Sequence, residues 1–184
     1  VPEINLRVSH YIPEDYIPDT RQRLNLYKRF SSIAAGDEIY TITEELEDRY
    51  GPVPALVENL MATAELRVML KVIKARELTQ KGARLYLSFE QAAGREPTEA
   101  LINKALAMAK KEPKRYRVMP EGKFVVFMAQ DEQPMEAARY VLKELVKGRY
   151  YVQIGPTGPK SPSMKTLSGK KLASSLTVLL PFNF

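Results

Sequence analysis

Cysteine and tryptophan are absent from the 184 residues, and histidine occurs once, at His10. Without cysteine there is no disulfide framework, no thiolate metal site and no thiol nucleophile, and the expected compartment is the reducing cytoplasm. A single histidine cannot make the paired ligand set that many metal sites use, so His10 reads as a surface or packing residue. No stretch approaches the ~18 apolar residues of a membrane span, so no membrane association is expected. The chain opens Val1-Pro2-Glu3-Ile4-Asn5, with no initiator Met and no charged-then-apolar leader. That is the expected start of a domain taken from a longer polypeptide.

Catalytic signatures are equally thin. No Gly-x-Ser-x-Gly elbow occurs. The stretch Gly155-Pro156-Thr157-Gly158-Pro159-Lys160-Ser161 superficially suggests a phosphate loop. It fails on mechanism, because Pro156 and Pro159 have no N–H to offer a phosphate and no glycine directly precedes the lysine. No enzyme activity and no cofactor are therefore expected of this fragment.

What is present is an ordinary globular composition, 45% hydrophobic and 27% charged. The net charge is +6, from 28 basic and 22 acidic residues. Its location matters more than its size. Residues 152–184 hold Lys160, Lys165, Lys170 and Lys171 and no acid, leaving 24 bases against 22 acids, a net of +2, in the rest. A nearly neutral body argues against a dedicated nucleic-acid module, which clusters cations to displace counterions. The composition also shifts after Gly155 to a Gly/Pro/Ser/Lys-rich stretch ending in the apolar run Leu176 to Phe182. Two parts are expected: a domain over 1–151 and a tail over 152–184 with an apolar end.

Periodicity then gives the elements. Ile4 to Val8 alternates like a strand. Pro13 and Pro18 forbid regular structure between them, and Asp19 or Thr20 caps a helix reaching about Ile33. Leu24, Tyr27, Phe30 and Ile33 are expected as its buried stripe. A second helix spans about Glu38 to Tyr50, stopped by Gly51-Pro52. A third, from about Pro54 to Ile73, is apolar nearly all round and is expected to be central. Two hairpins follow, with turns at Gln80-Lys81-Gly82 and Pro120-Glu121-Gly122. A helix lies between them, and a last helix runs from Pro134 to about Lys147. The fold class is α+β: an N-terminal three-helix segment, then an antiparallel sheet of two hairpins with two further helices.

Two charged clusters stand out. Stepping ~100° per residue puts Glu44, Glu45 and Asp48 together on the solvent side of the second helix. Paired carboxylates doing acid–base work need a shielded pocket, and this helix offers none. Arg49, four residues from Glu45, can pair with it locally. Lys110, Lys111, Lys114 and Arg115 surround the end of the fourth helix, where cations suit the helix dipole. They are the candidate contacts if the chain is instead a basic nucleic-acid-binding module.

Three strings carry a resemblance. Ile12-Pro13-Glu14-Asp15-Tyr16-Ile17-Pro18-Asp19 with Arg23-Leu24-Asn25-Leu26-Tyr27-Lys28-Arg29 is similar to the start of the C-terminal domain of bacterial transcription-repair coupling factors (Mfd). Glu44 to Pro54 resembles the same domain's acidic helix end and Gly-Pro turn. Lys114 to Val118 with Lys123 to Phe127 resembles its second hairpin. The likeness runs over roughly residues 3 to 150 and leaves the tail out. It implies a parent protein that is an ATP-dependent translocase on duplex DNA, with ATP and Mg in motor domains elsewhere. That parent engages stalled RNA polymerase and recruits UvrA in nucleotide excision repair. The domain itself would be a non-catalytic regulator, packed on an N-terminal UvrB-like module of the same chain and masking its UvrA-binding surface. Carried over by motif position, Glu45 and Asp48, with Glu44 beside them, are the expected interface; Leu24 and Tyr27 are expected in the core.

Overall fold

The computed structural model describes residues 1–90, 94 and 96–147. The expected tail 152–184 and its boundary at 151 lie outside the described residues. The elements are β1 (Glu3–Asn5), α1 (Thr20–Ser32), α2 (Gly36–Tyr50), α3 (Ala55–Val72), β2 (Ala75–Lys81), β3 (Arg84–Phe89), α4 (Glu99–Lys111), β4 (Tyr116–Met119), β5 (Lys123–Phe127) and α5 (Pro134–Val146). The α+β class and both hairpins are as expected. The sheet is mixed rather than wholly antiparallel, because β1 joins β2 in parallel, with Ile4 opposite Leu78. The crossover between them is the entire α1–α3 segment, and a parallel neighbour requires a connection of that kind. Strand order is β1-β2-β3-β5-β4, so the hairpins lie side by side and meet through β3 and β5.

Helix α3 organises the molecule. Val57, Leu60, Met61, Ala64 and Val68 fall on one side of it and pack with α1 and α2. Leu66, Met69, Leu70 and Ile73 fall roughly 120–180° away at ~100° per residue and pack with the sheet and α5. One helix thus supplies two cores, which is why it is apolar on both sides. Glu65, on its flank, is 2.9 Å from Arg139 of α5.

The proline-bounded N-terminal segment is pinned rather than loose. Ile12 and Ile17 are buried in the helical core. The Tyr27 hydroxyl accepts from the Ile12 N–H at 2.7 Å, and the Arg23 guanidinium donates to the Ile17 and Pro18 carbonyls at 2.7 and 2.9 Å. Asp19 accepts from the Gln22 N–H at 3.0 Å, the expected N-cap. Tyr16, whose phenol burial raises above its ordinary pKa, with Glu47 adding to the rise, donates to the Gly51 carbonyl at 3.1 Å. The first resemblance string is therefore largely a packing and capping device.

One expected core residue is not in the core. Leu24 is 55% exposed, while Leu26, Phe30 and Ile33 are buried. A stripe read at steps of three drifts about 60° per step around a helix of 3.6 residues per turn, and 26–30–33 is the stripe that faces α3. Tyr27 is partly buried against the same cluster. Leu26→Ala should therefore cost about 2–5 kcal/mol and Leu24→Ala within about 0.5 kcal/mol, read from urea midpoints. Equal losses from the two would contradict this register.

Candidate functional site

Helix α2 is held against the body by Ile42 and Leu46, which are buried among the α1 and α3 side chains. Its first turn is fixed by the Glu38 carboxylate, which accepts from the Ala34 and Ala35 N–H groups, both at 3.0 Å. Its end is set by Gly51, at φ 81°, whose N–H donates to the Glu47 carbonyl at 3.0 Å. A left-handed φ there explains why glycine stands before Pro52. These constraints fix which carboxylates face outward.

The four acids in the second half of this helix have different situations. Glu45 is committed inside the domain: one oxygen is 2.8 Å from Arg29 of α1 and the other 3.1 Å from Arg49 one turn on. The hydrogen bond from Arg29 leads in holding its pKa below the usual carboxylate value. The local Glu45–Arg49 pair that the spacing allows does form, and Arg29 extends it into a tie between α1 and α2. Glu44 is exposed and accepts the Tyr40 hydroxyl at 2.5 Å. Asp48 and Glu47 are exposed, and neither side chain has an ion-pair partner among the described residues. The open acidic face is thus Glu44, Glu47 and Asp48, with Glu45 on its flank. Glu47, about 60° from Glu44 around the helix, belongs to the same run of carboxylates in the sequence, and the folded surface keeps it exposed beside Glu44 and Asp48.

Asp48 also opposes a local rule. It lies in the last turn of α2, where the partial negative charge of the helix C-terminus disfavours an anion by roughly 0.3–1 kcal/mol. Arg49 supplies the expected cation there, but its charge is spent on Glu45.

The basic cluster is split by the fold. Lys110 and Lys111 close the last turn of α4 and are exposed, as is Lys114. Arg115 turns inward: it donates to the Phe127 carbonyl at 2.8 Å and is ion-paired with Glu132. Glu132 also accepts from the Ala129 N–H at 2.9 Å, and the bond from Arg115 leads in lowering its pKa. Arg115 therefore staples the start of α5 to the edge hairpin. No group of three or more potential metal ligands occurs among the described residues.

The TRCF domain model matches residues 6–100, from the end of β1 to the start of α4. The chain belongs to the TRCF domain family. Among relatives, the transcription-repair-coupling factor of Myxococcus xanthus is 29% identical over 149 residues, 78% of this chain and 12% of that protein. That of Bacillus subtilis is 37% identical over 93 residues, 50% of this chain and 8% of that protein. The TRCF chain thus spans about a tenth of the length of the curated relatives it matches. A crystal structure of the C-terminal domain of a transcription-repair coupling factor superposes with a TM-score of 0.66 at 22% identity, covering 80% of this chain and 93% of that one. That last likeness is one of fold.

Both lowered carboxylates should make this domain acid-sensitive. A depressed folded-state pKa contributes stability above the ordinary value of 4.5, lost as pH falls through and below it. Urea midpoints should fall between pH 6 and about pH 3, and Glu132→Gln should flatten part of that slope and cost about 1–2 kcal/mol at pH 7. Glu45→Gln should do the same more weakly, its pair being more open to water. An unchanged slope in both variants would contradict the assignment.

Proposed function

We propose that this TRCF domain is a non-catalytic regulatory module of a transcription-coupled repair translocase. In this reading it docks its acidic α2 face on the positively charged surface of the UvrB-like module of the same polypeptide. Docked there, it masks the surface that UvrA uses. ATP, Mg, duplex DNA and RNA polymerase then belong to other parts of the parent, which works in the cytoplasm.

The observation that carries the reading is the pair of exposed, unpaired carboxylates Glu47 and Asp48 at the wrong pole of the helix dipole. A domain that neutralises Glu45 and Glu132 with internal arginines leaves these uncompensated. An acid that breaks a local preference without an internal gain is best explained by a partner outside the domain. Complementary charge gives orientation and fast encounter, and its partial exposure keeps the contact reversible. Tethering in one polypeptide supplies the effective concentration that such a weak contact needs. Glu45 enters this account mainly as the residue that holds α2 at its angle to α1.

The test is binding of this chain to an isolated UvrB-like module, followed by UvrA binding in the full-length factor. Glu47→Lys with Asp48→Lys should weaken the module complex at least tenfold without lowering the urea midpoint. The same pair of changes should expose UvrA binding in the full-length protein. Wild-type module affinity together with wild-type UvrA affinity would overturn the reading.

A further inference from the structure

The two faces of the sheet are chemically opposite. Leu78, Leu85, Leu87, Phe124 and Val126 point to the core shared with α3 and α5. Their alternates form the outer face, because successive strand residues point to opposite sides. The register sets these in rows. One row holds Lys81, Arg84 and Phe127; the next holds Asn5, Thr79, Tyr86, Val125 and Arg117. Neither row contains an acid; Glu3 and Glu77 fall in the row beyond.

Three cations and two rings are gathered there. The guanidinium carbons of Arg84 and Arg117 lie 5.1 and 5.2 Å from the centre of the Phe127 ring, and the Lys81 ammonium 5.7 Å from that of Tyr86. None of the three cations has a carboxylate partner among the described residues. Val125 belongs to neither hydrophobic core, yet it is only 2% exposed. The described helices pack on the other face.

We propose that this outer sheet face binds a single strand of nucleic acid, stacking base faces on Tyr86 and the arginine planes and seating phosphates on Lys81, Arg84 and Arg117. The chemistry favours this occupant. Aromatic rings interleaved with cations on central strands provide both halves of single-strand recognition, a stacking platform and a phosphate track. An acidic peptide would use the charge but not the planes. The face is too broad to enter a duplex major groove, since strands ~4.8 Å apart make five strands roughly 20 Å across, against about 12 Å. The stacking and phosphate contacts argued here are common to both sugars, so DNA and RNA strands should bind alike. The proposal is independent of the α2 face.

The test is fluorescence anisotropy on the whole chain with labelled oligo-dT and oligo-U of roughly 12 nucleotides, their duplex form, and a poly-glutamate competitor. Both single strands should bind, with log affinity falling against log salt at a slope of about −2, for three phosphates neutralised. Arg84→Glu with Arg117→Glu should weaken binding at least tenfold, and Tyr86→Ala about tenfold, with unchanged circular dichroism. Lys110→Glu with Lys111→Glu should leave it within about twofold. The proposal is overturned if the sheet variants bind like the wild type, if duplex binds as tightly as single strand, or if poly-glutamate competes as well as oligo-dT.

Discussion

One helix has to be buried twice. The apolar stripes of α3 lie back to back, one closing the helical core with α1 and α2 and the other closing the core of the sheet and α5. Among the described elements, α3 alone contributes buried residues to both cores. The N-terminal helices could not bury Leu26, Phe30 and Leu46 without the Val57–Ala64–Val68 stripe, nor the sheet its Leu78 and Leu85 without Leu66 and Leu70. Burying apolar area is the dominant favourable term in folding, so sharing one helix between two cores joins the layers energetically.

That arrangement determines what the surface can present. With α3 in the middle, α2 packs on it through Ile42 and Leu46 and must show its other side to the outside. The Glu45 tie to Arg29 and the Tyr16 bond to the Gly51 carbonyl then fix the rotation and the end of α2. Glu44, Glu47 and Asp48 are thereby displayed on a rigid element, which suits a recognition surface better than a loop. α3, α4 and α5 pack on one face of the sheet, and no described helix packs on the other. The acidic and basic-aromatic surfaces thus come from one constraint seen from its two sides.

Much of this was legible in the residues. The order and type of every described element follow from apolar period, caps and Gly/Pro punctuation: Asp19 as cap, Gly51-Pro52 as stop, Gly82 and Gly122 as turns. The resemblance strings led to the family, and the structure explains two of them as packing devices, Tyr16–Ile17–Arg23–Tyr27 and the Gly51 stop. Three things were not legible. The parallel seating of β1 depends on where a crossover of three helices returns, which no local pattern encodes. The burial of Leu26 in place of Leu24 needs the angular phase set by α3. Arg29 and Glu132 are remote in sequence from Glu45 and Arg115, so spacing offered Glu45 only its local partner Arg49 and offered Arg115 none. The outer sheet face is the same lesson at larger scale, since Lys81, Arg84, Arg117 and Phe127 become neighbours only through strand register.

The shared burial of α3 can be tested by native-state hydrogen exchange under rising denaturant. The amides of α2 around Ile42 to Leu46, of α3, and of β3 and β5 should converge on a single opening free energy, because peeling either layer bares one stripe of α3. Early exchange of α1 and α2 at a much lower free energy, with α3 and the sheet still protected, would mean that the two layers are separable and that α3 does not join them.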